Sequence, residues 1–158
     1  MQSMKLILGK NYDIGLMPSM GSANCHLLME LCIGWGLEWV IIFDDKGAEN
    51  EYKRIKKQFF DNRDADADSK IFRLADCDGI EDVFGARDLK LVNPLAEFPA
   101  GRKNSSVVSE YGGKELYSRL FYEKVRNGEI TQERLLKKTV DRFSKVFNFI
   151  EEALDVSN

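Results

Sequence analysis

The residues with the clearest chemical potential are two adjacent carboxylates at the end of an apolar run. Residues 40–43 are wholly apolar, and Asp44, Asp45 and then Gly47 follow them closely. Such a run predicts a buried parallel strand that carries both acids into a loop. Two neighbouring carboxylates repel each other unless a cation lies between them, and Mg²⁺ prefers oxygen ligands. The pair could equally be a solvated turn in which one acid caps the next helix.

A second acidic pair follows a later strand candidate. Glu81 and Asp82 lie within residues 79–84, shortly after the strand candidate at residues 71–74. Ligands of open α/β sheets bind outside the carboxyl ends of the strands, so both acidic pairs could meet at one edge. Alternatively, Glu81 and Asp82 are first-turn acids that stabilise a helix dipole.

The segments that must position these acids alternate between strand and helix patterns. Residues 61–69 are predicted to be a polar loop, because they offer little apolar surface for packing. The alternation predicts an α/β fold with a parallel sheet flanked by helices. The predicted strands lie at 14–18, 39–43 and 71–74, and the predicted helices at about 23–34 and 49–60.

A helical tail is predicted for the rest of the chain. Prolines and glycines favour a loop at residues 93–113. A helix is predicted to begin at Lys114, and Thr131 is the predicted N-cap of the last helix. The last helix carries an apolar stripe that could form a seam with a partner helix or pack on its own domain. The stripe consists of Leu136, Val140, Phe143, Phe147, Ile150 and Leu154.

Length and composition predict one soluble domain over residues 1–158, with an α/β core at 14–92, a loop at 93–113 and C-terminal helices at 114–158. Hydrophobic residues make up 44% of the chain and charged residues 31%, which is ordinary globular usage. The net charge of −3 argues against strong non-specific binding to nucleic acid by the surface as a whole.

Neither a membrane span nor a metal-binding cysteine motif is expected from the sequence. No apolar run approaches the roughly 20 residues that cross a bilayer, so a cytoplasmic protein without a membrane partner is predicted. Cys25, Cys32 and Cys77 contain no CxxC pair, and His26 is the single histidine. Free buried thiols in a reducing compartment are therefore the simpler interpretation, and a zinc site is not expected.

Four motifs in order resemble the TOPRIM nuclease domain of the overcoming-lysogenization-defect (OLD) endonucleases, which are usually fused behind an ATPase. They are the small-residue loop 18–24, the strand end 44–47, the block 79–84, and Lys114 at a helix start. The resemblance extends from about Ile14 to the final helix. It implies a TOPRIM-like (Rossmann-like) three-layer α/β fold, with a small, mostly parallel sheet flanked by helices and a helical C-terminal tail.

The resemblance also implies a metal-dependent DNA endonuclease that hydrolyses phosphodiesters with Mg²⁺ or Mn²⁺. Asp44, Asp45, Glu81 and Asp82 would be metal ligands, and Lys114 would neutralise charge on the pentacoordinate phosphate. DNA would be the partner of the intact protein, together with an ATPase domain encoded upstream.

A basic helix face lies close to the first acidic pair in the sequence. Lys53 and Lys57 belong to this face, which could contact the DNA backbone. The alternative is an ordinary solvated face.

Two departures from the family pattern bear on activity. The family's metal motif is Asp-x-Asp, whereas here Phe43 takes the first acid's place and Asp45 the second. The family's catalytic glutamate stands in a hydrophobic-Glu-Gly-x-x-Asp strand, but residues 1–13 contain no glutamate. A truncated domain that binds metal weakly and is inactive alone is therefore expected. The alternative is a catalytically silent remnant that acts as a binding or assembly module.

Association and helix anchoring are the remaining expectations. Loss of the first strand would leave sheet edges unpaired, and together with the last helix this favours a homodimer. Trp35 and Trp39 flank Gly36 and are expected to anchor the preceding helix to the strand.

Overall fold

The computed structural model describes residues 1–17, 24–44 and 48–156, which form two compact units. Unit 1 holds residues 1–11 and 77–147, and unit 2 holds the described residues of 12–76 and 148–157. The last helix contributes residues to both units.

Unit 2 is built around a small parallel sheet. The two strands pair in parallel, with Ile41 opposite Ile71 and Asp44 opposite Leu74. This pairing confirms a mixed α/β fold with a small parallel sheet and helices around it. The elements of unit 2 are α2 (Cys25–Gly34), β1 (Ile41–Asp44), α3 (Ala48–Phe59), α4 (Asp64–Asp68) and β2 (Ile71–Leu74).

Helix α3 covers the sheet with one face, as its apolar spacing predicts. Tyr52 and Ile55 are buried, whereas Lys53 and Lys57 on the opposite face are exposed. The core of unit 2 joins α2, both strands, α3 and α4. Its buried members are Cys25, Met29, Ile41, Phe43, Tyr52, Ile55, Ala67 and Ile71.

The predicted first strand is not formed. Residues 14–17 adopt no strand in the part of the chain that the structure describes, and Pro18 lies outside it. Leu16 and Met17 are 42% and 59% exposed. A strand is stabilised by pairing and by burial of alternate side chains, and this four-residue segment, which contains Gly15, has neither.

The polar segment 61–69, predicted to be a loop, contains helix α4. Asp64 and Asp66 stand in its first turn, where carboxylates interact favourably with the helix dipole. Ala67 has a high helix propensity and is fully buried against the unit 2 core. The loop prediction missed this single apolar contact.

Unit 1 is helical. Its aromatic core includes Phe84, whose ring centroid lies 4.8 Å from that of Phe143 and 5.2 Å from that of Phe121. None of the described helices is both long and apolar enough to cross a membrane. The elements are α1 (Gln2–Ile7), a 3₁₀ turn (Ile80–Val83), α5 (Ala86–Lys90), α6 (Asn104–Glu110), α7 (Lys114–Arg126), a 3₁₀ turn (Gln132–Arg134) and α8 (Lys137–Leu154).

Two boundaries in unit 1 differ from the prediction. Segment 93–113 is not entirely a loop, because α6 forms within it and buries Val107 and Val108. Thr131 precedes the 3₁₀ turn at Gln132–Arg134, and α8 begins only at Lys137. Both helices begin where a distant carboxylate accepts hydrogen bonds from residues at the helix start, which sequence propensity does not reveal.

The apolar stripe of α8 packs within the chain. Phe143, Phe147 and Ile150 are 0%, 1% and 2% exposed. In unit 2 the Phe149 ring lies 5.3 Å from that of Phe72. These side chains fill the cores of their own units, so the stripe is not an open seam for a partner helix.

Candidate functional site

An acid–base pair forms between two of the residues that the sequence singles out. Glu81 lies in the 3₁₀ turn at Ile80–Val83, and Lys114 is the first residue of α7. Lys114 Nζ is 3.3 Å from Glu81 Oε2. The Glu81 side chain is 12% exposed and that of Lys114 is 45% exposed, so the carboxylate is largely desolvated while the ammonium reaches solvent.

Gly79 leaves room for this pair. A Cβ atom at position 79 would stand 2.6 Å from Glu81 Oε2 and 2.7 Å from Lys114 Nζ. The φ angle of Gly79 is −178°, an extended conformation that any residue adopts. Space, and not backbone conformation, therefore favours glycine here.

The pair lines a cavity of about 60 Å³. The cavity walls are mostly apolar and include Met4, Leu89 and Phe121, while Tyr117 contributes a polar edge. Burial raises the pKa of Tyr117 above its usual range. An ion pair beside apolar walls interacts through a lower dielectric than one in water, which strengthens its attraction.

Asp82 is engaged by protein donors. Its Oδ1 accepts the Ser105 backbone N–H at 2.8 Å, and its Oδ2 accepts both the Ser105 hydroxyl and the Asp78 backbone N–H at 2.8 Å. Ser105 is the second residue of α6, so Asp82 satisfies an N–H group that the helix itself leaves unpaired. Arg142 donates to the backbone carbonyl of Asp82 at 3.1 Å.

The other predicted metal ligands belong to unit 2. Asp44 is half-buried at the carboxyl end of β1, and Asp45 lies outside the described residues. Within the described ranges, no three His, Cys, Asp or Glu side chains gather in a group that could hold a metal ion. The assignments of Asp44, Asp45, Glu81 and Asp82 as metal ligands stay predictions.

A third carboxylate, for which the sequence carries no local signal, is fully buried in unit 1. Asp88 Oδ1 accepts the Leu136 N–H at 2.9 Å, and Oδ2 accepts the Thr139 hydroxyl at 2.5 Å and the Gly85 N–H at 3.1 Å. Thr139 in turn accepts from the Gly85 N–H at 3.1 Å. Asp88 thereby fixes the start of α8, and its two oxygens accept hydrogen bonds from three donors.

The predicted DNA-contacting lysines lie on the outer face of α3. Lys53 Nζ is 3.1 Å from Glu49 Oε1, one turn earlier, and both side chains are more than half exposed. Such an exposed pair contributes little to stability. Lys53 and Lys57 therefore remain accessible to a phosphate backbone.

Comparison of the chain with protein-family models, with curated proteins and with solved structures finds no match.

Proposed function

We propose that this chain is part of a TOPRIM-type, metal-dependent DNA endonuclease domain and that it does not cleave DNA in isolation. The observation that carries the proposal is the Glu81–Lys114 pair, at 3.3 Å beside a cavity. Nuclease chemistry at a phosphodiester needs a cation to stabilise the negative charge that develops on the phosphate. Lys114 supplies a half-exposed ammonium for that purpose.

The parallel sheet of unit 2 is the second support. β1 ends at Asp44 and pairs in parallel with β2. A carboxylate at the carboxyl end of a parallel strand stands where ligands of open α/β sheets bind. A bound Mg²⁺ or Mn²⁺ would activate water and stabilise the leaving oxygen. Asp44 and Asp45 are the proposed unit 2 ligands for it.

The contacts that Glu81 and Asp82 already make within unit 1 support the proposed inactivity. A metal ion at Glu81 would have to compete with Lys114, and one at Asp82 would have to displace the Ser105 N–H and hydroxyl. Each charge-assisted hydrogen bond that is broken costs about 1.5–3 kcal/mol, which weakens metal binding.

The test is a titration of the chain with Mn²⁺, in which electron paramagnetic resonance measures the concentration of the free ion. We expect weak binding that is lost in Asp45→Ala and preserved in Asp141→Ala, a matched variant at an exposed acid of α8. Binding that is unchanged in both Asp44→Ala and Asp45→Ala would overturn the proposed ligands.

Cleavage is measured separately by nicking of supercoiled plasmid with Mg²⁺ or Mn²⁺, using excess protein. The expected result is no nicking above the buffer control. Nicking that disappears in Asp45→Ala would show that the acids of this chain suffice, and the proposed inactivity would be wrong.

The second candidate is a catalytically silent binding or assembly module. The two hydrogen bonds from Ser105 to Asp82 favour this candidate, because they give the carboxylate a structural role. The Mn²⁺ titration separates the two candidates, because a silent module would show no Asp45-dependent binding.

A further inference from the structure

A positively charged side chain stands within strand β2, where the sequence is otherwise apolar. The three other residues of the strand are buried or half-buried, whereas 45% of the Arg73 side chain is exposed to solvent. A charge that interrupts an apolar strand breaks the local pattern, and such exceptions are expected mainly where a fold serves a function. The packing of unit 2 alone does not account for Arg73.

Arg73 lies near the edge of the sheet at which ligands of open α/β folds bind. It pairs in register with Phe43, one residue before Asp44 and Leu74 at the carboxyl ends of the two strands. The ligand-binding crevice of such sheets lies just outside these strand ends. The guanidinium extends to Glu49, the second residue of the helix that follows β1. Arg73 is therefore a cation on the side of unit 2 where a ligand is expected.

An aromatic ring holds the Arg73 guanidinium in place. Arg73 Cζ lies 5.0 Å from the centroid of the Tyr52 ring, which is within the range of a cation–π contact. Tyr52 is only 9% exposed, and its hydroxyl donates to Asp68 Oδ1 at 2.6 Å, so the ring itself is fixed. A guanidinium that is already positioned loses less conformational entropy when it binds an anion.

One carboxylate joins this guanidinium to a lysine of α3. Glu49 Oε2 is 2.6 Å from Arg73 Nη1, and Glu49 Oε1 is 3.1 Å from Lys53 Nζ. The Glu49 and Lys53 side chains are 57% and 66% exposed, and exposed pairs of this kind contribute little to stability. Two cations that converge on the two oxygens of one anion also match two oxygens of a phosphodiester.

We propose that Arg73 and Lys53 together bind a phosphate of the DNA backbone, and that Glu49 occupies their binding position until DNA displaces it. The inference rests on the proposed function, because it takes DNA as the partner. It adds Arg73 as a DNA contact and Glu49 as an internal competitor of DNA. Phosphate contacts position a protein on a duplex, and this one would place the backbone beside the strand end at Asp44.

The acids of α4, which also belong to unit 2, are paired with cations. Asp64 Oδ1 is 2.6 Å from Lys56 Nζ. Asp66 Oδ2 is 2.9 Å from Arg63 Nε. Each of these pairs has no net charge, so it repels an approaching phosphate less than a lone carboxylate would. Glu49 is therefore the carboxylate whose removal should matter most for DNA.

The test is fluorescence anisotropy of a labelled DNA duplex with the full chain, over a series of low salt concentrations. Glu49→Gln should strengthen binding about threefold or more, because it releases both cations from an exposed competitor. Arg73→Gln should weaken binding about tenfold and make the salt dependence shallower by about one in slope. A gain of affinity in Glu49→Gln cannot arise from misfolding, so the result does not depend on the stability of Arg73→Gln.

The matched controls are the same two changes in an exposed ion pair of unit 1. Arg119 Nε lies 3.6 Å from Glu123 Oε1, and these side chains are 71% and 56% exposed. Arg119→Gln and Glu123→Gln change the net charge by the same amounts as the test variants. They should alter the affinity less than about twofold, because the inference gives this pair no contact with DNA.

Three results would overturn the inference while the wild-type chain still binds DNA. They are an affinity that Arg73→Gln leaves unchanged, an affinity that Glu49→Gln does not raise, and effects equal to those of the controls. In these cases the proposed DNA partner stands. If neither the wild-type chain nor Glu49→Gln binds DNA, the inference and the proposed DNA partner are both wrong.

Discussion

Asp82 binds Ser105 through both of its carboxylate oxygens. Oδ1 accepts the Ser105 backbone N–H and Oδ2 accepts the Ser105 hydroxyl, each at 2.8 Å. The two residues are 23 positions apart, and Asp82 is only 9% exposed. A residue that the sequence suggests as a metal ligand thus has a structural role in the described fold, where it stabilises the start of α6.

Asp82→Ala should destabilise the chain without any metal present. The substitution leaves the N–H groups of Ser105 and Asp78 unpaired, for an expected decrease of about 2–4 kcal/mol in the free energy of unfolding. Urea denaturation in the presence of a chelator measures it. Asp141→Ala, at an exposed site on α8, should change the free energy of unfolding by less than about 0.5 kcal/mol. A decrease that appears only with added metal would contradict the structural role.

Asp88 and Thr139 should be energetically coupled. Asp88→Ala removes the acceptor of the Leu136 N–H and of the buried Thr139 hydroxyl, whereas the Gly85 N–H keeps Thr139 Oγ1, so the substitution should cost about 2–4 kcal/mol. Thr139→Val removes one donor and should cost about 1–2 kcal/mol. The double variant should be less destabilised than the sum of the two, by about 1 kcal/mol or more, because both substitutions break the same 2.5 Å hydrogen bond. Additive effects in urea denaturation would argue against this coupling.

Gly85→Ala should be destabilising for a steric reason. An added Cβ would stand 2.3 Å from Leu136 Cδ1, a terminal methyl of a half-buried side chain that can shift, so we expect a decrease of about 1 kcal/mol in the free energy of unfolding. Gly34→Ala is the matched control at the end of α2, where a Cβ has open space. It should be neutral or stabilising by up to about 1 kcal/mol.

A double variant tests whether the clash with Leu136 causes the destabilisation by Gly85→Ala. Shortening Leu136 to alanine in the Gly85→Ala background should restore part of the stability relative to the sum of the single changes. If Gly85→Ala and Gly34→Ala have equal thermal midpoints, the close approach at Leu136 does not limit the fold.

Alkaline pH should weaken the fold through Cys25. Burial, with a smaller contribution from Glu51, raises the pKa of Cys25 from 9.0 to about 11. Between these values the unfolded chain has released the thiol proton while the folded chain retains it. The free energy of unfolding should therefore be constant below about pH 9 and fall as the pH rises above it.

Tyr52 extends the same trend to higher pH. Burial, followed by its hydrogen bond to Asp68, raises its pKa from 10.0 to about 12. Urea midpoints measured across this range check both groups. Cys25→Ala should show a shallower decline between about pH 9 and 11, and an unchanged decline would contradict the assignment to Cys25.

The outer face of α3 should contribute to DNA binding if the proposed function holds. Reversing the charge of Lys53 and Lys57 to glutamate should weaken binding to duplex DNA of any sequence. The salt dependence should also become shallower, by about one in slope for each lysine–phosphate ion pair that is removed. The matched control is the same double reversal at Lys137 and Lys138, exposed at the start of α8. DNA binding of both double variants is measured by fluorescence anisotropy. If both weaken binding equally, α3 is not the DNA-binding face.

The sequence by itself determined the elements whose stabilising contacts are local. The three-to-four-residue spacing of Tyr52, Ile55 and Phe59 fixes the buried face of α3, because side chains so spaced share one face of a helix. The continuous apolar run at residues 40–43 likewise indicates strand β1, whereas in β2 the exposed Arg73 interrupts an otherwise apolar segment. Such signals lie within a few residues of the element they define.

Tertiary structure alone decided the elements stabilised from a distance. Segment 93–113 has the composition of a loop, yet α6 forms there because Asp82 pairs with the N–H of Ser105 and because Val107 and Val108 are buried. α8 begins where Asp88, some fifty residues earlier, accepts from Leu136 and Thr139. Propensity and periodicity describe only neighbouring residues. Hydrogen bonds between groups far apart in the chain exist only once folding has brought their partners together.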